Sequence, residues 1–260
     1  MSLRTLFFDL DDTLILDKSA SHSAFMLVAK KASEIHGVNP EKFVVDAKAI
    51  AQQRWEEGAC YPFCNTIGIS AFECLWGNFF GETSELKSLR TWALNYRKEV
   101  FCQALAEQGV KADSGELAED FIAFRRSCQR LMPSAREVLE ILSKNFKLGL
   151  LTNGAPDLQR EKIKASGLEE FFSAIVISGE YGIGKPSSAI FKNLLALLKV
   201  TAKEALMVGN SLERDIAGAR NAGILSAWIR VPGSEEEAEA RPDFIIHELS
   251  ELLPLVEQLP

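Results

Sequence analysis

Residues Thr5 to Asp9, TLFFD, form an unbroken apolar run closed by acids, the pattern of a strand buried on both faces of a parallel sheet. A polar loop follows it. From about Ser21 to Leu131 the hydrophobic spacing turns helical, in AFMLVAKKASEI, PEKFVVDAKAIAQQRWEE, SLRTWALNYRKEVFCQAL and GELAEDFIAFRRSCQRL. That stretch predicts no strand. After Pro133 the pattern alternates: helix AREVLEILSK, strand FKLGLLT, helix PDLQREKIKASG, strand AIVIS, helix SSAIFKNLLALL, strand EALMVG, helix RDIAGARNAG, strand ILSAWIR and a short last strand DFIIH.

Alternation of this kind predicts βαβ crossovers and a parallel sheet covered by helices on both faces. The first strand has no partner within the helical stretch, so it is expected to pair with strands beyond residue 145. The expected fold is therefore α/β, a Rossmann-type parallel sheet sandwiched by helices, with an inserted all-α domain. Residues 1–17 and 132–260 are expected to form the core and residues 18–131 the insertion. Charge divides in the same way. Residues 18–131 hold 14 basic and 14 acidic side chains, so the net charge of -7 resides in the core. The acidic run Glu235 to Glu237 with Glu239 reads as a solvated loop before the last strand.

The length and a hydrophobic content of 47% suit a globular protein with a sizeable core, as one large domain or two unequal ones. An acidic balance, with pI near 5.2, argues against nucleic acid or an anionic membrane surface as partner. No apolar run approaches the ~20 residues of a membrane span, and acids follow the short N-terminal apolar stretch at once, unlike a signal peptide. A cytoplasmic location is the expectation. Five cysteines, all between Cys60 and Cys128, predict free thiols rather than a disulfide framework. Cys60, Cys64 and Cys74 lack the close-set pair of a zinc site.

Four short segments carry candidate chemistry. Asp9-Leu10-Asp11-Asp12-Thr13 stands at the C-terminal end of a buried strand, where open α/β sheets bind ligands. Extended backbone points residues i and i+2 the same way, so Asp9 and Asp11 can face one pocket, where mutual repulsion separates their protonation states. An Asx turn leaving a strand is the structural alternative. Thr152-Asn153-Gly154 also follows a buried strand and offers a hydroxyl and backbone N–H groups to phosphate oxygens. Asn-Gly is equally a hairpin signal, but Pro156-Asp157 opens a helix and not a returning strand. Gly184-Lys185-Pro186 places a lysine just before a helix that Pro186 is expected to begin. Gly209-Asn210-Ser211-Leu212-Glu213-Arg214-Asp215 supplies oxygens suited to a hard cation, or simply a helix capped by Ser211 or Asn210.

Taken in this order, the four segments resemble those of the haloacid dehalogenase superfamily, and the resemblance covers the whole chain. It implies a phosphatase using Mg2+, with Asp9 as nucleophile, Asp11 as general acid/base, Thr152 and Lys185 as catalytic groups on the phosphoryl moiety, and Asn153 and Gly154 beside them in substrate binding. Asp9, Asp11 through its backbone carbonyl, Asn210 and Asp215 are the implied metal ligands. Asn210 departs from the pattern, since an aspartate commonly stands there; a neutral amide ligand brings one less negative charge. The helical insertion resembles the family's C1 cap, with Arg54, Tyr61, Trp76, Arg125 and Arg126 as polar and aromatic residues that equally suit packing. The implied partner is a small phosphorylated metabolite: phosphoserine by the cap's similarity to bacterial and archaeal members, with sugar phosphates and nucleoside monophosphates also open. A phosphomutase, a 2-haloacid dehalogenase and a non-enzymatic phosphate-binding module are the rival readings. The sequence leaves the oligomeric state open.

Overall fold

The structure is a computed structural model that describes residues 2–231 and 240–259. The acidic run at Glu235–Glu237 and Glu239 lies outside the described residues. Two compact units emerge: Met1–Leu16 with Arg130–Gly154 and Gln159–Pro260, and Asp17–Gln129 with Ala155–Leu158.

The first unit is built on a sheet whose described strands are β1 (Thr5–Phe8), β2 (Lys147–Thr152), β3 (Ala174–Ile177), β4 (Ala205–Gly209), β5 (Leu225–Ile229) and β6 (Phe244–Ile246). Each pairs in parallel with its neighbours, in the order β3-β2-β1-β4-β5-β6. The unbroken apolar run of β1 has its cause here, because the strand is central and fully buried. Phe7 packs on one face with Ile190, Phe191 and Leu194; Leu6 and Phe8 pack on the other with Val138, Leu139 and Leu142. Register sets Phe8 opposite Leu150 and Val208, so the chain leaving β1 emerges between the ends of β2 and β4.

Helices of the second unit are α1 (Asp17–His36), α2 (Pro40–Glu56), α3 (Tyr61–Ile67), α4 (Ala71–Cys74), α5 (Ser84–Ala106) and α6 (Gly115–Ser127). Their core centres on Phe25, whose ring lies 4.8 Å from Phe121 and 6.5 Å from Phe101. Arg125 is buried, bonded to Asp17 and Ser21 and stacked 4.6 Å over Trp76. Arg54 reaches Glu99 and Gln103, and Tyr61 meets Trp55 edge-on. All five cysteines are free thiols, and no helix among the described residues is long and apolar enough to cross a membrane.

The remaining helices are α7 (Ala135–Leu142), α8 (Pro156–Ser166), α9 (Ser178–Tyr181), α10 (Ser188–Leu198), α11 (Ala217–Ala222) and α12 (Leu252–Glu257), all in the first unit except the start of α8 up to Leu158. Two expected starts are displaced. Pro186 does not begin α10: Ser187, in extended conformation, caps it and accepts from Ala189 N–H, so the first helical residue is Ser188. The helix expected from Arg214 is entered through a π-helical turn at Leu212–Ile216, where the N–H groups of Asp215 and Ile216 both reach Ser211 O. Such widened turns recur at functional sites.

Candidate active site

Every strand end that the sequence singled out meets at one edge of the sheet. Asp9 follows β1 directly, its N–H donating to Val208 O at 3.0 Å, and it is 6% exposed. Lys185 Nζ donates to Asp9 Oδ1 at 2.6 Å, and Thr13 Oγ1 to Asp9 Oδ2 at 3.0 Å. The other two ammonium contacts are Asp215 Oδ1 at 2.7 Å and Leu151 O at 2.8 Å. The ammonium thus donates hydrogen bonds to Asp9 and Leu151 and pairs ionically with Asp215.

Asn153 fixes the backbone that presents Lys185. Its Oδ1 accepts from Lys185 N at 2.8 Å and its Nδ2 donates to Lys185 O at 3.0 Å. Gly154 N–H donates to Ser178 Oγ at 2.8 Å. The Gly154 N–H, one of the backbone groups expected to meet phosphate, is thus spent inside the protein on the turn after β2, and the Asn153 side chain holds the lysine. Thr152 stays beside the site with its hydroxyl bonded to Gln159 Nε2 at 2.6 Å.

Each carboxylate has its own ammonium: Asp9 has Lys185, and Asp11 Oδ1 has Lys162 Nζ at 2.9 Å. Lys162 and Gln159, both buried, were missed from sequence. A signal existed, because the buried positions of α8 are Leu158, Gln159, Lys162, Ile163 and Ser166, a helical stripe with three polar residues inside it, two of them long.

On the β4 side, Asp215 folds back so that its Oδ2 accepts from Ser211 N–H at 3.0 Å. Gly209 makes room for it, since a Cβ there would lie 2.3 Å from Asp215 Oδ2. Burial pushes the Asp215 carboxyl up to about 6; Lys185 opposes that rise and the Asp9 charge adds to it. Burial alone would lower the Lys185 ammonium, but Asp215 and Asp9 together raise it. Asn210 Oδ1 is 3.5 Å from Thr13 Oγ1, at the limit of a hydrogen bond, and its backbone carbonyl accepts from Trp228 Nε1 at 2.9 Å.

The side chains here suit a hard cation in donor type. Asp9, Asp215, the Asn210 amide and the Asp11 carbonyl offer oxygen only. Asp215's raised carboxyl marks a place where added positive charge is favourable. Among the described residues no three carboxylate, thiol or imidazole groups cluster as a ready-made metal site, so a cation here would rest on two carboxylates supplemented by neutral oxygens.

A sequence model for haloacid dehalogenase-like hydrolases matches residues 3–223. The chain is 40% identical, over 252 residues, to a phosphoserine phosphatase of Thermus thermophilus, covering 96% of this chain and 98% of that one. Among solved structures it resembles the magnesium-bound HAD-hydrolase YfnB of Bacillus subtilis, with a TM-score of 0.68 and 25% identity over 98% of this chain and 99% of the other. A 2-haloacid dehalogenase of Pseudomonas syringae pv. Tomato DC3000 aligns with a TM-score of 0.59 and 27% identity, covering 98% of each chain.

Proposed function

Since the chain belongs to the haloacid dehalogenase-like hydrolases, we propose that it is a magnesium-dependent phosphomonoesterase acting on a small phosphorylated metabolite, with phosphoserine as the favoured substrate. The observation that carries this reading is Asp9, a buried carboxylate at a sheet's C-terminal edge, oriented by Lys185 and Thr13.

Asp9 attacks phosphorus, forming a P–O bond as the bond to the leaving alcohol breaks and the alcohol oxygen takes a proton from Asp11. Water then attacks phosphorus and gives its proton to Asp11. The Asp9–phosphorus bond breaks, inorganic phosphate leaves, and both carboxyl groups regain their starting states. Lys185 and the Thr152 hydroxyl supply positive charge and a donor to phosphoryl oxygens, the main requirement of such transfers. Magnesium, when bound by Asp9, the Asp11 carbonyl, Asn210 and Asp215, adds charge neutralisation on the phosphoryl group. The expected domain division, 1–17 with 132–260 against 18–131, belongs to the same reading, the inserted helices being the cap.

A dehalogenase expels halide, which needs no proton, and so has no use for an acid at Asp11. That residue favours an alcohol as leaving group. The test is a panel of phosphomonoesters, phosphoserine included, with a 2-haloacid beside them, ranked by kcat/KM with magnesium and with EDTA. Phosphoserine is expected to lead. Halide release, or no phosphate release above the EDTA control, would overturn the reading.

Asn210 makes a separate prediction. Asn210→Asp should tighten magnesium binding on the order of tenfold by adding a charged oxygen. Trp228, whose indole N–H holds the Asn210 carbonyl, is a fluorescent reporter for that titration. An unchanged titration would remove Asn210 from the ligand set.

A further inference from the structure

One helix grips Asp11 at both oxygens. Gln159 and Lys162 stand one turn apart on the buried stripe of α8. Lys162 Nζ donates to Asp11 Oδ1 and Gln159 Nε2 to Asp11 Oδ2, each at 2.9 Å. The same Gln159 nitrogen reaches Thr152 Oγ1 at 2.6 Å, so both of its hydrogens are used. The amide orientation is dictated, because reversing it would set Oε1 against a carboxylate.

Packing alone does not account for this arrangement. Lys162 is 0% exposed, and Gln159 Oε1 is buried with no hydrogen-bond partner among the described residues. Both are unfavourable for folding, whereas leucine or methionine would fill the same stripe without a buried charge or an orphaned acceptor. The backbone also makes way for the glutamine. Gly154 has φ +141, and a Cβ there would come within 2.9 Å of Gln159 Cγ and Cδ. The bracket has consequences for two groups of the site. It fixes the Asp11 carboxylate at both ends, and it occupies Thr152 Oγ1 as an acceptor. The hydroxyl's own hydrogen is then directed away from Gln159; among the described residues its acceptor is Asn153 O, 3.4 Å off.

We propose that Lys162 and Gln159 are positioning residues for phosphoryl transfer: they hold Asp11 where it receives the proton of the hydrolytic water, and Gln159 also turns the Thr152 hydroxyl towards the phosphoryl oxygens. This inference rests on the phosphatase reading above. It assigns the two residues to different steps. Lys162 supports the water attack through Asp11. Gln159 supports that step and, through Thr152, phosphoryl binding in the first.

The full-length protein with magnesium and para-nitrophenyl phosphate separates these contributions. Para-nitrophenolate leaves without a proton donor, so kcat/KM reports the attack of Asp9 and kcat, once water attack is slowed, reports breakdown of the aspartyl-phosphate. Lys162→Met should lower kcat by about 100-fold, a typical general-base contribution. KM should fall with it and kcat/KM stay within about threefold, with aspartyl-phosphate accumulating in acid-quenched samples. Gln159→Leu should lower kcat/KM as well. Lys162→Gln, which keeps a donor in the slot, should fall between wild type and Lys162→Met, and it carries the same test if the methionine variant does not fold by thermal melting. A variant in which kcat/KM drops in step with kcat, or KM rises at constant kcat, would show a merely structural lysine and overturn the inference. Wild-type turnover no faster than Asp9→Asn would instead sink the phosphatase reading itself, so the two failures are distinguishable.

Discussion

Asp9→Asn should abolish phosphate release, by at least about 10⁴-fold in kcat, because an amide cannot form the aspartyl-phosphate and loss of a nucleophile removes a whole step. The substitution is nearly isosteric: the Asn amide oxygen can still accept from Lys185 where Asp9 Oδ1 does now, while the amide nitrogen takes the place of Oδ2 and can donate to the Thr13 hydroxyl. Lys185 keeps Asp215 as its counterion, so the fold should persist. Removing the Asp9 charge also removes one cause of the raised Asp215 carboxyl, which should therefore move down from about 6. Phosphate release measured beside a thermal melt checks the claim. An inactive but normally melting variant supports a chemical role for Asp9; residual turnover near wild type would assign the nucleophile elsewhere.

Much of the fold was legible because burial leaves a direct trace in sequence. β1 reads as TLFF since both of its faces are covered, and the later strands read alike for the same reason. Short elements such as α4 and α9, four residues each, fall below any periodicity window, and the π-helical turn before α11 has no pattern of its own. Asp9, Lys185 and Asp215 each announced themselves by standing at a strand end or just before a helix. Which partners they take depends on strand order. Because β1 lies between β2 and β4, the turn after Thr152 and the loop after Gly209 flank Asp9, and that order is a tertiary fact. Gln159 and Lys162 illustrate the opposite difficulty. In PDLQREKIKAS polar residues are so frequent that two of them on the buried side look like solvated neighbours, and only the phase of Leu158 and Ile163 gives them away.

Lys185→Met should be the most damaging change to the folded state. The ammonium is buried, 3% exposed at the side chain, and lies between carboxylates that are 9% and 1% exposed. Methionine fills the volume but leaves two buried negative charges without a counterion, and breaking a buried pair from one side typically costs about 3–5 kcal/mol. Leu151 O loses its donor as well. Activity should fall by about 10²- to 10³-fold, the scale for removing a preorganised charge from a transition state. The pH dependence has a definite sign. Lys185 pulls the Asp215 carboxyl down, so without it that carboxyl must rise further above about 6 in the folded state. A group whose folded pKa is raised stabilises the protein at low pH, and that stabilisation is lost as pH rises through the folded value. The melting deficit of Lys185→Met should accordingly be small in acid and grow as pH climbs through 6 and beyond. Magnesium should shrink it at neutral pH by supplying positive charge to the same carboxylates. A deficit that is flat with pH and indifferent to magnesium would mean that Lys185 acts through packing rather than through its charge.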